Sequence, residues 1–323
     1  MTDAGPAISI RGLTKRYGRI VALDGLDLDI PRGTVFGLLG PNGAGKTTTI
    51  RLLTGVARPT AGTATVDGIV VGSRRGLDAR RRFGVLDQEP RYYGWMTGRE
   101  LLAFAGDLVG LEGSALDDRI EETLELVDLT DAADRRIGGY SSGMRQRLGI
   151  GQAIVGKPEI LVLDEPVSSL DPEGRRDLLL LIGSMRTTST VVFSTHVLSD
   201  VERVCDRVAI LDHGRLVREA AIDELLGQFA LPSYRIEADP GQDGRIEVLD
   251  GALRNQPWAT ETRLDGDVLR VVVDDPERAA AELLPIIASV GLRVTAFERE
   301  RPTLEDVFLR LVGEDRDDDE ADG

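Results

Sequence analysis

The sequence predicts an α/β domain built on a phosphate-binding loop, followed by a smaller α+β domain. Three observations carry this. Gly40-Pro41-Asn42-Gly43-Ala44-Gly45-Lys46-Thr47 fits G-x-x-x-x-G-K-[ST] between a strand-like and a helix-like run. Two apolar runs, ILVLD at 160–164 and VVFSTH at 191–196, flank a helical stretch, as buried parallel strands do. From about residue 221 a new alternation of strands and helices begins.

In chain order, ISIRGL (8–13) and TVFGLL (34–39) read as short strands, the second running into the glycine-rich turn. TTTIRLLTG then reads as a helix ending at Gly55, and ATVDGIVV (64–71) as two strands about an Asp-Gly turn. Residues 99–155 are mostly helical in pattern, and RVAILDHGRLV is a hairpin with His213 at its turn, to which no role is given. IDELLGQF reads as a linking helix. After it come a strand at 233–238, a helix near 245–255, strands at 258–264 and 267–274, the helix PERAAAELLPIIASVG and the strand LRVTAFERE. TLEDVFLRLVG reads as a last helix. The order βαββαβ predicts a ferredoxin-like second domain. The expected boundaries are 1–220, 221–312 and a charged, disordered tail at 313–323.

Composition excludes several classes. The 323 residues carry a net charge of −16, which argues against nucleic acid as a partner, because phosphate binding needs a basic surface. The single cysteine, Cys205, rules out an internal disulfide and fits a reducing cytosol. MTDAGPAISI lacks a basic n-region followed by an apolar stretch, so no signal peptide is expected. The longest apolar runs, such as Leu178–Ile182, are far short of the ~18 residues of a membrane span. Any membrane role must come through a partner. Only three of the 39 basic residues are lysines (Lys15, Lys46, Lys157). A GC-rich genome and adaptation to a salt-rich cytoplasm both fit that bias.

In the phosphate loop, glycines let backbone N–H groups turn inward around a β-phosphate, where a helix N-terminus adds its positive field. Lys46 bridges the β- and γ-phosphates in such a loop, and Thr47 offers its hydroxyl to Mg²⁺. Chance predicts on the order of a few thousandths of a match per chain of this composition. The strand ILVLD ends in Asp164, whose carboxylate is expected to face the Mg²⁺. Glu165 is then the candidate for polarising the attacking water.

With these motifs and others in order, the chain resembles the ABC ATPase family over roughly residues 7–220. Tyr17 looks like the aromatic on which adenine stacks, and Gln88, in GVLDQEP, like the glutamine that senses Mg²⁺ and the γ-phosphate. Ser141-Ser142-Gly143, in YSSGMRQRL, resembles the signature motif. Ser168-Ser169-Leu170-Asp171 resembles the D-loop and His196 the switch histidine. The resemblance implies ATP and Mg²⁺ as cofactors. It implies Gly40 to Thr48 (including Thr48), Tyr17, Ser141, Gly143 and Asp171 as the nucleotide-binding set. Thr47, Gln88 and Asp164 fall to the metal, and Glu165, His196 and Gln88 to catalysis.

Two departures stand out. Tyr140, Ser141, Ser142, Gly143 and Met144 replace the common Leu-Ser-Gly-Gly-Gln, keeping the serine and the second glycine. Val167 replaces the usual threonine after Glu165-Pro166.

The resemblance further implies a homodimer with two ATP molecules sandwiched head to tail, each signature serine facing the other subunit's nucleotide. PTLEDVFLRLVG resembles the closing stretch of ATPases similar to the daunorubicin-resistance and sodium-export subunits, which work with a separate integral membrane permease. The implied place is the cytoplasmic face of the cell membrane, held there through the permease. A cassette ATPase acting on ribosomes or DNA is the rival reading. It is disfavoured by the single cassette, the lack of a coiled-coil insertion and the charge. Tyr92, Tyr93 and Trp95, three of the 14 aromatics, fall within four positions after Gln88. They fit either a docking surface for the permease or packing of the helical region's own core.

Overall fold

The computed structural model describes residues 5–168, 170–229, 232–300 and 303–308, and the charged tail lies outside them. Period-two patterning starts the fold. In β1 (Ile8–Tyr17) Ile8 and Ile10 point inward, and in β2 (Ile20–Ile30) Leu26, Leu28 and Ile30 alternate with solvent-facing Asp27 and Asp29. No strand was expected at β2, because its aspartates mask the alternation, and β1 runs four residues past the expected end. The phosphate loop joins β3 (Val35–Leu39) to α1 (Lys46–Leu53). β4 (Ala61–Val66) and β5 (Ile69–Val70) form a hairpin through Asp67 and Gly68, both at positive φ. Next come α2 (Gly76–Arg80), β6 (Phe83–Leu86), and the three helices α3 (Gly98–Leu108), α4 (Gly113–Leu126) and α5 (Ser142–Ile154).

The remaining elements of this unit are β7 (Ile160–Asp164), α6 (Pro172–Ser184), β8 (Thr190–Thr195), α7 (Leu198–Val204), β9 (Arg207–Asp212) and β10 (Arg215–Ala221). Two sheets result. One is antiparallel, in the order β2-β1-β4-β5; the other has the order β10-β9-β3-β8-β7-β6 and is parallel from β9 to β6. Every residue of β3, β7 and β8 is buried, as parallel strands covered on both faces must be. Ile50, Leu52 and Leu53 of α1 join Ile8, Ile10 and Leu13 of one sheet and Phe36, Val162 and Val192 of the other in one core. The loop preceding α1 is thereby held at the carboxyl ends of the parallel strands, where the site forms.

The three helices pack on one another, and α3 opens on a reciprocal cap between Thr97 and Glu100. Buried Arg119 of α4 donates to the carbonyls of Ile154 (2.5 Å) and Val155 (2.9 Å), satisfying acceptors that the end of α5 leaves open.

The second unit begins at Asp223 by chain contacts. It contains most of α8 (Ile222–Phe229), then β11 (Ser233–Ala238), α9 (Asp243–Arg254), β12 (Ala259–Asp265), β13 (Val268–Val273), α10 (Pro276–Val290) and β14 (Val294–Glu300). Its strands pair antiparallel in the order β12-β13-β11-β14, the ferredoxin-like arrangement expected from the element order. Leu249 and Leu253 of α9 and Leu283 and Ile287 of α10 cover one sheet face. Trp258 is buried there, with its indole N–H donated to Glu282 at 2.7 Å. Of the expected last helix, a turn over 304–308 lies within the described residues.

Candidate functional site

The phosphate loop is braced from two sides. Gly45 adopts φ +104°, and a Cβ there would meet Leu23 at 2.7 Å and the Ala22 carbonyl at 2.9 Å, so no other residue fits. The Gly214 amide donates to the Ala44 carbonyl at 3.1 Å, while the Gly214 carbonyl accepts from Asp24 at 2.9 Å. The β9–β10 turn, given no role from sequence, therefore fixes the loop to β2 through backbone bonds, beside which Arg215 pairs with the Asp24 carboxylate at 2.8 Å. A cavity of about 510 Å³ opens over the loop, lined by Asn42 to Thr48 together with Tyr17, Gln88 and Glu165. Tyr17 is 45% exposed, with the Lys15 ammonium 4.7 Å from its ring centroid.

Lys46 is buried at the head of α1 and donates to the carbonyls of Gly40 (2.6 Å) and Pro41 (3.1 Å). Burial lowers its pKa, and the charges of Glu165 and Asp164 act in the opposite direction. Its Nζ lies 3.9 Å from Glu165 Oε1. Glu165 follows β7 in the left-handed region, at φ +49°, a strained setting for a non-glycine residue. That turn brings its carboxylate to His196, whose Nδ1 lies 2.9 and 3.0 Å from the two oxygens. Lys46, Glu165 and His196 thus meet from α1, the end of β7 and the end of β8.

A second cavity is lined by Thr47, Gln88, Asp164, Tyr17, Arg51 and Arg91. The donors that Thr47, Gln88 and Asp164 present there are a hydroxyl, an amide and a carboxylate. Such hard oxygen ligands suit Mg²⁺ bound jointly with phosphate oxygens. No group of three His, Cys, Asp or Glu side chains among the described residues is placed to hold a metal by itself.

Ser141 and Gly143 lie elsewhere. Ser141 caps the 13-residue α5, its hydroxyl accepting from the Met144 amide at 3.2 Å. With Gly143, Leu170 and Asp171 it lines a cavity of about 400 Å³ that shares no lining residue with the phosphate-loop cavity. Asp171 in turn caps α6 through Gly174 at 3.2 Å. Ser168 donates to the Glu165 carbonyl at 3.1 Å, and Ser169 lies outside the described residues. Tyr140, the first departure from the common signature, is buried and donates to the Ala132 carbonyl at 2.6 Å, so it packs the helical region. Val167 is buried as well.

The three aromatics after Gln88 divide. Tyr92 turns inward over Gly149 of α5, and its hydroxyl lies 3.2 Å from the Arg145 carbonyl; burial raises its pKa well above the usual tyrosine range. Tyr93 and Trp95 are 62% and 67% exposed and rest against each other, ring centroids 5.8 Å apart.

Two groups at the site carry no motif in the sequence. Ser194 of β8 lies beside Asp164 in register, and its hydroxyl donates to Asp164 Oδ1 at 2.5 Å. Arg175 of α6 forms a bidentate pair with buried Asp200 of α7 (2.9 and 2.6 Å), tying the helix that starts at Asp171 to the one that follows His196.

Comparison with known proteins adds independent findings. The ABC transporter family matches residues 23–168, and the C-terminal domain of DrrA1-3-like ATP-binding proteins matches residues 221–312. The chain is 40% identical over 314 residues to the uncharacterized ABC transporter ATP-binding protein YxlF of Bacillus subtilis, covering 94% of this chain and 99% of that one. It is 38% identical to the daunorubicin/doxorubicin resistance ATP-binding protein DrrA of Streptomyces peucetius, over 98% and 96% of the two chains. Identity to the Nod factor export ATP-binding protein I of Burkholderia lata is 36%, over 96% and 98%. The solved ATP-binding subunit of an ABC transporter superposes with a TM-score of 0.64 at 28% identity, covering 69% of this chain and 93% of that one. A dimeric bacterial ABC transporter cassette, MJ0796, superposes at 0.62 with 25% identity, over 67% and 98%.

Proposed function

The chain belongs to the ABC transporter ATP-binding proteins, ATPases of transport, and from that premise we propose that two copies close head to tail around two Mg-ATP and drive a separately encoded membrane permease in export. No helix among the described residues is long and apolar enough to cross a membrane, so membrane attachment is assigned to the permease, on the cytoplasmic face. The observation that carries the dimer is the separation of the two half-sites. One chain holds the phosphate loop and Glu165, the latter in contact with His196, at one cavity and Ser141 with Gly143 at another. A second copy, turned head to tail, supplies the missing half.

The chemistry follows from the residues. Backbone amides of the phosphate loop and the start of α1 hold the β-phosphate, and the Lys46 ammonium leaves its carbonyl partners to bridge to the γ-phosphate. Thr47 and Asp164, with Gln88, would hold a Mg²⁺, which would supply neutralisation of charge on the phosphate oxygens. Glu165 accepts the proton of the attacking water, and His196 fixes the direction of that carboxylate through Nδ1. Tyr17 stacks on adenine. Closure on ATP and opening after hydrolysis couple turnover to the permease, because the closed dimer binds ATP and ADP with different affinity.

Export is supported by a relative named for Nod factor export and one named for daunorubicin/doxorubicin resistance, each aligned over nearly the whole of both chains. The test of the central assignment is Glu165→Gln. The amide is no base, so turnover should fall by at least about 10², while ATP binding persists and an ATP-bound dimer accumulates on size-exclusion chromatography. Hydrolysis near the parent rate would remove Glu165 as the base.

A further inference from the structure

We propose that Ser194 is a positioning residue for hydrolysis, setting the orientation of the metal-binding carboxylate and the backbone of the base with one hydroxyl. The proposal rests on the roles just assigned to Asp164 and Glu165. Ser194 lies in a strand whose six residues are all buried, and it is itself fully buried. A hydroxyl there is costly unless it is bonded, and this one is bonded on both sides. Its proton goes to Asp164 Oδ1 at 2.5 Å, and its oxygen accepts the Glu165 amide at 3.0 Å. The same amide also reaches the Ser194 carbonyl at 3.1 Å.

Each bond fixes something the reaction needs. Asp164 is 1% exposed, and among the described residues no other group donates a hydrogen bond to its carboxylate. Holding Oδ1 sets the rotation of the carboxylate and leaves Oδ2 to the metal and its waters. Glu165 sits at φ +49°, and the Ser194 oxygens hold its amide in that strained turn. The left-handed turn is what brings the Glu165 carboxylate to His196 and to within 3.9 Å of Lys46. A valine or alanine at 194 would keep the strand and lose both functions of the hydroxyl.

The experiment compares Ser194→Ala, Ser194→Thr and Ser194→Cys in the full chain, with Glu165→Gln beside them. Mn²⁺ binding is measured by electron paramagnetic resonance with ATP present, and kcat and KM for ATP are measured separately. In Ser194→Ala, loss of a hydrogen bond to a charged group predicts Mn²⁺ affinity and kcat each lower by about tenfold or more. KM for ATP and metal-free ATP binding should stay within about twofold. Ser194→Thr restores the hydroxyl and should recover most of both losses. Ser194→Cys keeps the size with a weaker donor and should fall between, which covers the case in which the threonine methyl is not accommodated. Parent-like Mn²⁺ affinity and kcat in Ser194→Ala would overturn the proposal. So would equal losses in all three variants with a lowered melting temperature, since that reports packing and not the hydroxyl. An active Glu165→Gln would instead strike the assignment of the base, and is thereby told apart from failure of the Ser194 role.

Discussion

Side chains at this site act through pairs that the chain brings together over long separations. Glu165 and His196 are 31 positions apart, and the carboxylate of the proposed base is aimed by a left-handed backbone setting that no propensity favours. The motif residues were legible in the sequence because their chemistry needs a given residue type at a given spacing, as in Gly45-Lys46-Thr47. Ser194 was not legible. A serine in VVFST looks like an ordinary strand residue until the register sets it beside Asp164. The aromatic trio shows the same limit, for only Gly149, 57 positions away, tells Tyr92 apart from its neighbours. Tyr93 and Trp95 remain as an exposed apolar pair beside the Gln88 loop, suited to anchor a partner. Trp95→Ala is therefore expected to leave the ATPase rate and melting temperature of the isolated subunit unchanged. Retention by the co-expressed permease in detergent pull-downs should drop severalfold. Loss of folding in that variant would place Trp95 in the helical region's core instead.

Elements meet closely where glycines allow it, and the contacts of α5 illustrate how the helical region is joined to the sheet. A Cβ at Gly84 of β6 would run into the Ala153 carbonyl near the end of α5 and lie 2.8 Å from the Pro158 ring. A Cβ at Gly149 would meet only the far ends of Tyr92 and Leu86. Backbone cannot retreat as side-chain tips can, so the two alanine substitutions should differ. Gly84→Ala is expected to cost at the upper end of about 1–3 kcal/mol and to weaken ATP binding, since β6 leads directly into the Gln88 loop. Gly149→Ala is expected to cost less and mainly to push Tyr92 outward, seen as increased tyrosine accessibility. Chemical denaturation of both variants checks the order, and a more severe Gly149→Ala would contradict it. Element types were readable from periodicity in both units. β2 escaped because alternating aspartates imitate a turn-rich segment, and the short α2 and β6 escaped as well. β2 helps hold the phosphate loop through the backbone bond of Asp24 to Gly214 and the Arg215–Asp24 pair, which join segments about 190 positions apart.

At the scale of the whole molecule, one chain holds two separate cavities, and the proposed function stands on how copies combine to join them. Lys46→Ala removes the ammonium assigned, in the proposed function, to the nucleotide of its own subunit. Ser141→Arg fills the space at the start of α5 and blocks the contact with a nucleotide on the facing subunit. Each homodimer then carries two defective sites and should be nearly inactive. A mixed dimer separates the geometries. If Ser141 acts across the interface, the intact phosphate loop of the Ser141→Arg chain meets the intact Ser141 of the Lys46→Ala chain, giving one whole site and one doubly broken site. If Ser141 serves its own subunit's nucleotide, mixing repairs nothing, because every site retains one defect. The two chains would be co-expressed with different tags, purified through both, and assayed for ATP hydrolysis. Nucleotide occupancy would be counted in the same sample, because the two sites can depend on each other for turnover. One occluded ATP per mixed dimer, with or without rapid hydrolysis, is the expected result. A mixed dimer that forms yet neither occludes nor hydrolyses ATP, while the unmodified dimer does both, would rule out the head-to-tail arrangement. It would leave the separation of the two cavities to be explained by a movement of α5 toward its own phosphate loop.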